Sequence, residues 1–286
     1  MTHSSEEQFC VYLYDRLVGR LHRRYDLTRF VFEDRYWDDP NRAVLGLRFE
    51  ENPRARHQSN MRLPPWFSNL LPEGRLREWI AQARRSSTER EMELLAQVGH
   101  DLPGAVRVLA ADKMVPVDLG DGGDSSGQQG SFIGSLWSFS LAGVGLKFSM
   151  LARGDRLVVP ARGERGDWIA KLPDPTYPGV PQNELAMMTL AKAVGIDVPE
   201  IRLVHRDEME PLPERVWSGQ DRLFAVKRFD RGPGRELIHI EDLAQVRGFY
   251  PDKKYTGSFE TVGALVYRGH DIESLRELAR RLALNI

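Results

Sequence analysis

From Phe9 the chain alternates apolar and polar residues through FCVYLYDRLVGRL, and the break at Asp15-Arg16 predicts a short β-hairpin. RFVFEDRYW and AVLGLRF continue a strand-like pattern and predict two further strands. The period then changes. PPWFSNLLPEGRLREWIAQA places Leu76, Trp79, Ile80 and Ala83 on one helical face. A second helix is predicted near Thr88, where T-x-x-E with Glu91 reads as a capping box ahead of MELLAQV. Gly99 ends it, and AVRVLA reads as a returning strand.

Residues 119–130, LGDGGDSSGQQG, supply no core-facing side chains and much backbone freedom, so they read as a linker or mobile loop. Residues 1–118 form one small predicted domain. After the loop, SLWSFSL, KFSM, RLVV and WIAKL predict strands. A helix follows over 183–194, with Met187, Leu190, Ala191 and Val194 on one face and Gly195 as its stop. EIRLVHR and RLFAVKRF predict two more strands. Helices near 240–246 and 259–267 precede a last one, where Asp271 is a plausible N-cap and Leu275, Leu278, Ala279 and Leu282 share a face. Strands, a helix, strands and then only helices give an α+β class with no internal repeat.

Composition narrows the function classes. The 286 residues, 41% of them apolar, suffice for about two domains. A net charge of −1 gives no global sign of a phosphate-backbone binder. Cys10 is the only cysteine, which rules out an intramolecular disulfide and fits a reducing, cytoplasmic setting. The start, MTHSSEEQ, is unlike a secretory signal, and no apolar run nears the ~18 residues of a membrane helix. His100 and His205 lack a second ligand at metal spacing, so no structural zinc is predicted. No G-x-S-x-G elbow occurs.

Three stretches carry candidate chemistry. In SLAGVGLKFSM, Gly143 and Gly145 flank Val144 and Lys147 follows, a pattern that brings backbone N–H groups and a cation to phosphate oxygens. The same pattern also marks an ordinary tight hairpin, and it lacks Walker spacing. In WIAKLPDP, Lys171 ends a strand; such a lysine ordinarily faces solvent, but Glu184 on the next helix is placed to anchor it. A strand lysine held by a helix glutamate is the phosphate-binding device of protein kinases. In FAVKRFDR, the residues after the strand either present a backbone edge to adenine and a carboxylate to ribose, or form a local Arg–Asp pair.

Together these segments resemble the HipA family of protein serine/threonine kinases, the toxins of type II toxin–antitoxin modules. WFSNLLPEG and VGHDLPGAV look like hallmarks of that family's N-terminal subdomain, SLAGVGLKFSM its phosphate loop, WIAKLP its lysine strand, NELAMMTLAKAVGIDVPE its following helix and KRFDR its hinge. The resemblance implies a kinase-like ATP-binding lobe over 131–239 and the start of a helical lobe over 240–286. It implies ATP, with Mg²⁺, as cofactor. Ala142, Gly143, Val144, Gly145 and Lys147 would cradle phosphates, with Lys171 and Glu184 behind them. Phe229 would lie at the adenine, Asp230 near the ribose, and Lys227 beside them, where some members have Glu. Ser140 aligns with a loop serine that such kinases autophosphorylate. Gly145-Leu146 departs from the more usual Gln-Glu or Gln-Pro.

In the family, the helix matching ELARRLALNI runs into a catalytic loop of the type LIGNxDxHxKN, and no such segment stands in these 286 residues. The expectation is a kinase truncated before its catalytic Asp and Mg²⁺-holding Asp, and inactive in this form. Implied partners are a HipB-like DNA-binding antitoxin and a translation-related target such as an aminoacyl-tRNA synthetase, with DNA met only through the antitoxin. The alternative is a non-catalytic module that sequesters an antitoxin or regulates a full-length kinase.

Overall fold

The computed structural model describes residues 6–53, 55–83, 85–111, 145–161, 164–267 and 271–285. The predicted SLWSFSL strand, the 119–130 loop and Ser140, Ala142, Gly143 and Val144 lie outside them.

Two antiparallel five-stranded sheets dominate. The first contains β1 (Glu7–Leu13), β2 (Arg16–Arg24), β3 (Leu27–Phe32), β4 (His57–Asn60) and β5 (Val106–Ala110), in the order β4-β3-β2-β1-β5. The predicted hairpin is β1–β2, and alternation puts Phe9, Val11 and Leu13 in the core.

AVLGLRF is not a strand. Its end forms the short helix α2 (Leu47–Glu51), after α1 (Asp34–Trp37). Phe49 turns inward against Phe30, Phe32 and Trp66, with ring centroids 5.3–5.8 Å apart. The Leu47 N–H is held by Glu241 Oε2 at 2.9 Å, a partner almost two hundred residues away that fixes a helical start. The edge position beside β3 goes instead to β4, whose sequence HQSN has no apolar alternation to reveal it.

The predicted helix at 64–83 is two pieces, α3 (Pro65–Ser68) and α4 (Gly74–Ala83). Leu76, Ile80 and Ala81 are buried, whereas Ala83 is exposed. The helix α5 (Glu91–Val98) has Arg90 at its N-cap, without a side-chain cap. Glu91 does not close a box with Thr88. It is fully buried, accepting from the Leu63 N–H (2.8 Å), Ser68 Oγ (2.9 Å) and Arg77 Nη2 (2.9 Å). Those three donors satisfy the buried carboxylate better than a helix terminus would.

The second sheet contains β6 (Lys147–Arg153), β7 (Arg156–Val158), β8 (Trp168–Lys171), β9 (Ile201–His205) and β10 (Arg222–Lys227), in the order β7-β6-β8-β10-β9. Phe148, Met150, Trp168, Ala170, Leu223, Ala225 and Val204 form its apolar face. The helix α6 (Val180–Ala193) packs near β9 and β10. Its predicted core face is mostly open: Ala191 is buried, but Met187, Leu190 and Val194 remain 40–54% exposed. Gly195, with φ +85°, stops it as expected.

The chain after the second sheet returns to the first. Around α7 (Leu243–Arg247), Gln245 Nε2 donates to the Trp66 carbonyl at 3.0 Å, and Trp66 Nε1 donates to Glu241 Oε1 at 2.7 Å. Asn69 Nδ2 donates to the Phe249 carbonyl at 2.7 Å. The WFSNLLPEG segment is therefore the seat of this return. Finally α8 (Phe259–Tyr267) and α9 (Ile272–Leu284) pair, with Asp271 capping α9 through the Ser274 N–H at 2.8 Å. Leu275, Leu278, Ala279 and Leu282 line an open groove of about 480 Å³ between the two helices instead of entering a core. Among the described residues, no helix is long and apolar enough to cross a membrane.

Candidate functional site

Lys171 is the last residue of β8, and antiparallel register sets it between Lys147, the first residue of β6, and Phe224 of β10. Residues directly opposite share a sheet face with Cβ atoms ~5 Å apart, and like charges so placed repel. A fold does not keep two facing lysines for stability. Glu184, in the second turn of α6, pairs with Lys171. The Lys171 ammonium also lies 5.5 Å from the Phe224 ring centroid. The Leu172 N–H donates to the Leu146 carbonyl at 2.9 Å, fastening the end of the glycine segment beside the lysine. Gly145 stands in open space, since an added Cβ would meet nothing within 4 Å.

Lys147 carries the electrostatic load. Burial, and then the charge of Lys171, lower its pKa from 10.5 to about 8, with Glu73 and Glu184 pulling the other way. Glu184 is committed to Lys171, and Glu73 to Lys254 at 2.6 Å. Among the described residues no carboxylate pairs with Lys147. The arrangement is a partly dewatered cation pair in which only Lys171 has a carboxylate partner, suited to an anion with several oxygens.

The residues after β10 divide. Lys227 ends the strand with its Nζ 3.7 Å from Glu200, and Phe229 stands 67% exposed. Asp230 is buried. Arg228 grips it in bidentate fashion, Nε to Oδ1 at 2.9 Å and Nη2 to Oδ2 at 2.7 Å. Arg231 Nη1 (2.9 Å) and the Gly104 N–H (2.8 Å) share Oδ2. Burial works against the charged carboxylate, yet the two arginines hold its pKa below the ordinary 3.8. Of the two readings of KRFDR, the local Arg–Asp pair is the one that forms.

That pair belongs to a larger cluster missed in the sequence. Asp101, from VGHDLPGAV, accepts from Arg228 Nη1 (3.1 Å) and Arg231 Nη2 (3.0 Å), and Arg228 Nη1 also reaches Ser149 Oγ at 3.1 Å. All four charged groups are buried where the two sheets' units meet. Their signal, charged residues amid apolar neighbours, is common on any surface strand. Among the described residues no three His, Cys, Asp or Glu converge as for a metal ion.

Two family models match the sequence. A model described as the HipA N-terminal domain covers residues 9–109, and one described as the HipA-like C-terminal domain covers residues 139–286. The chain belongs to the HipA family. It is 40% identical over 286 residues to "Putative kinase Y4dM" of Sinorhizobium fredii, covering 96% of this chain and 68% of that protein. It is 24% identical over 282 residues to "Serine/threonine-protein kinase toxin HipA" of Shewanella oneidensis, covering 93% of this chain and 60% of that protein. The HipA chain in a solved complex of Shewanella oneidensis HipA, HipB and operator DNA shares the fold, with a TM-score of 0.60 at 21% identity, over 89% of this chain and 60% of that one. The chain thus spans 60–68% of the length of these relatives.

Proposed function

We propose that the lysine site binds the phosphates of ATP, and that these residues are the nucleotide-holding part of a HipA-type protein serine/threonine kinase toxin. The observation that carries this is Lys171 clamped by Glu184 directly opposite Lys147, which has no carboxylate partner among the described residues. Lys171 contacts the phosphates in an orientation set by Glu184, and Lys147 adds the second charge. Ala142, Gly143, Val144 and Gly145 are the candidate phosphate loop by sequence, and the exposed Phe229 offers a face to adenine. Ser140, in the same segment, is the candidate for autophosphorylation. Mg²⁺, where it comes with the nucleotide, would supply charge neutralisation at the phosphates.

The whole protein phosphorylates a serine or threonine on a translation-related protein and is restrained by a HipB-like DNA-binding antitoxin. The family assignment and the complex formed by the Shewanella relative support that reading. The test is a thermal-shift titration with ATP. Lys171→Ala should abolish the shift, and an unchanged shift would refute the assignment.

A further inference from the structure

The charge of a third lysine, Lys254, reaches Lys147. Lys254 lies in the returning segment after α7, far in sequence from both sheet lysines, and its side chain is only 8% exposed. Its Nζ donates to Glu73 Oε1 at 2.6 Å, and Glu73 is the acidic residue of WFSNLLPEG. The charges of Lys254 and Glu73 both reach Lys147. Three lysines from three segments, with two glutamates between them, therefore leave one positive charge in a partly dewatered setting. An ammonium has three N–H donors, and Lys254 uses one on Glu73.

We propose that Lys254 is a polyphosphate-binding residue, and that Glu73 is the built-in counter-ion with which the ligand's outer phosphates compete. The inference rests on the phosphate-site reading of Lys147 and Lys171 and extends it to a residue outside both sheets. The ligand class follows from the layout. A di- or triphosphate carries charge on neighbouring groups and meets several ammonium groups together, whereas a monophosphate reaches fewer. Glu73 lowers the affinity of the site while keeping the buried Lys254 paired when no ligand is present, which matters because an unpaired buried charge is costly. Since Glu73 belongs to the first sheet's unit, occupancy of the site is felt there directly.

The test compares Glu73→Gln and Lys254→Met with the unmodified chain in calorimetric titrations of inorganic tripolyphosphate, ATP and AMP. Glu73→Gln should tighten tripolyphosphate and ATP about fivefold, Lys254→Met should weaken both by about as much, and AMP should change little. The double variant should follow Lys254→Met. A gain in affinity cannot come from misfolding, so the Glu73 variant guards against a merely structural effect. ATP binding that depends on Lys171 but ignores both variants would overturn this inference and leave the nucleotide reading intact. Tripolyphosphate binding with the expected order, without ATP binding, would uphold the inference and overturn the nucleotide reading. Equal losses for AMP and ATP in both variants would show only structural roles and overturn it.

Discussion

The backbone N–H of Gly104 donates to Oδ2 of Asp230 at 2.8 Å, across 126 positions of chain. Gly104 lies just before β5 of the first sheet, and Asp230 just after β10 of the second. Around this bond Arg228 and Arg231 bridge Asp230 to Asp101, so one buried network joins the two units. The lysine site lies at the other end of β8 and β10 from this seam. Asp230, expected near a ribose, is spent on holding the units together, while its neighbour Phe229 stays exposed.

Gly104 tests the seam from the backbone side. Its φ of +71° suits glycine, and an added Cβ would approach the Ile240 backbone N to 2.8 Å. Gly104→Ala should therefore destabilise by about 2–4 kcal/mol, combining backbone strain with displacement of the 240 segment. Gly154→Ala is the control. It has φ +60° but open space around it, and should cost only about 1 kcal/mol. Urea midpoints of the two variants make the comparison.

Asp230 tests it from the charge side. Asp230→Asn leaves two buried arginines short of a carboxylate and should cost about 3–5 kcal/mol. The folded pKa lies below the unfolded value, so this contribution is complete above pH 3.8 and is lost as pH falls through the lower folded value. The variant should accordingly show a flatter acid-unfolding curve, read by circular dichroism. An unchanged midpoint at neutral pH would contradict the network's role.

Much of this was legible along the chain. The β1–β2 hairpin, α5, α8, α9 and most strands of the second sheet follow from periods of two and 3.6, and the Lys171–Glu184 pair follows from a strand end and a helix turn. What failed depended on partners distant in sequence. AVLGLRF became a helix because Glu241 and the aromatic cluster hold it so. Glu91 left its cap to satisfy three buried donors. Asp230 and Lys254 show the same limit: a local pattern cannot tell which charged side chain will be enclosed by another part of the fold.

Lys147 gives a pH signature. Its folded pKa, about 8, is below the unfolded 10.5, so the folded state carries a cost that is full below pH 8 and fades as pH rises to 10.5. Discounted for solvent screening, Lys147→Met should stabilise the chain by about 1–2 kcal/mol at pH 7. That advantage should shrink steadily between pH 8 and 10.5. A bound phosphate favours the ammonium form, so tripolyphosphate affinity of the unmodified chain should fall over pH 8–9, and that of Lys147→Met should be weaker and flatter. Stability and affinity changing in opposite directions would mark the lysine as a binding residue kept at a structural cost.

Phe229 separates base recognition from phosphate recognition. At 67% exposure the ring contributes little to the core, so Phe229→Ala should change stability by less than about 0.5 kcal/mol. If the ring stacks on adenine, its loss should weaken ATP by about 1–3 kcal/mol, the usual range for base–aromatic stacking. Tripolyphosphate has no base, so its affinity should not move. Titrating both ligands against the one variant isolates the adenine contact from the lysines. Equal affinities of the variant and the unmodified chain for ATP would place the base elsewhere, leaving Phe229 an exposed aromatic beside a cluster that needs it for neither folding nor binding.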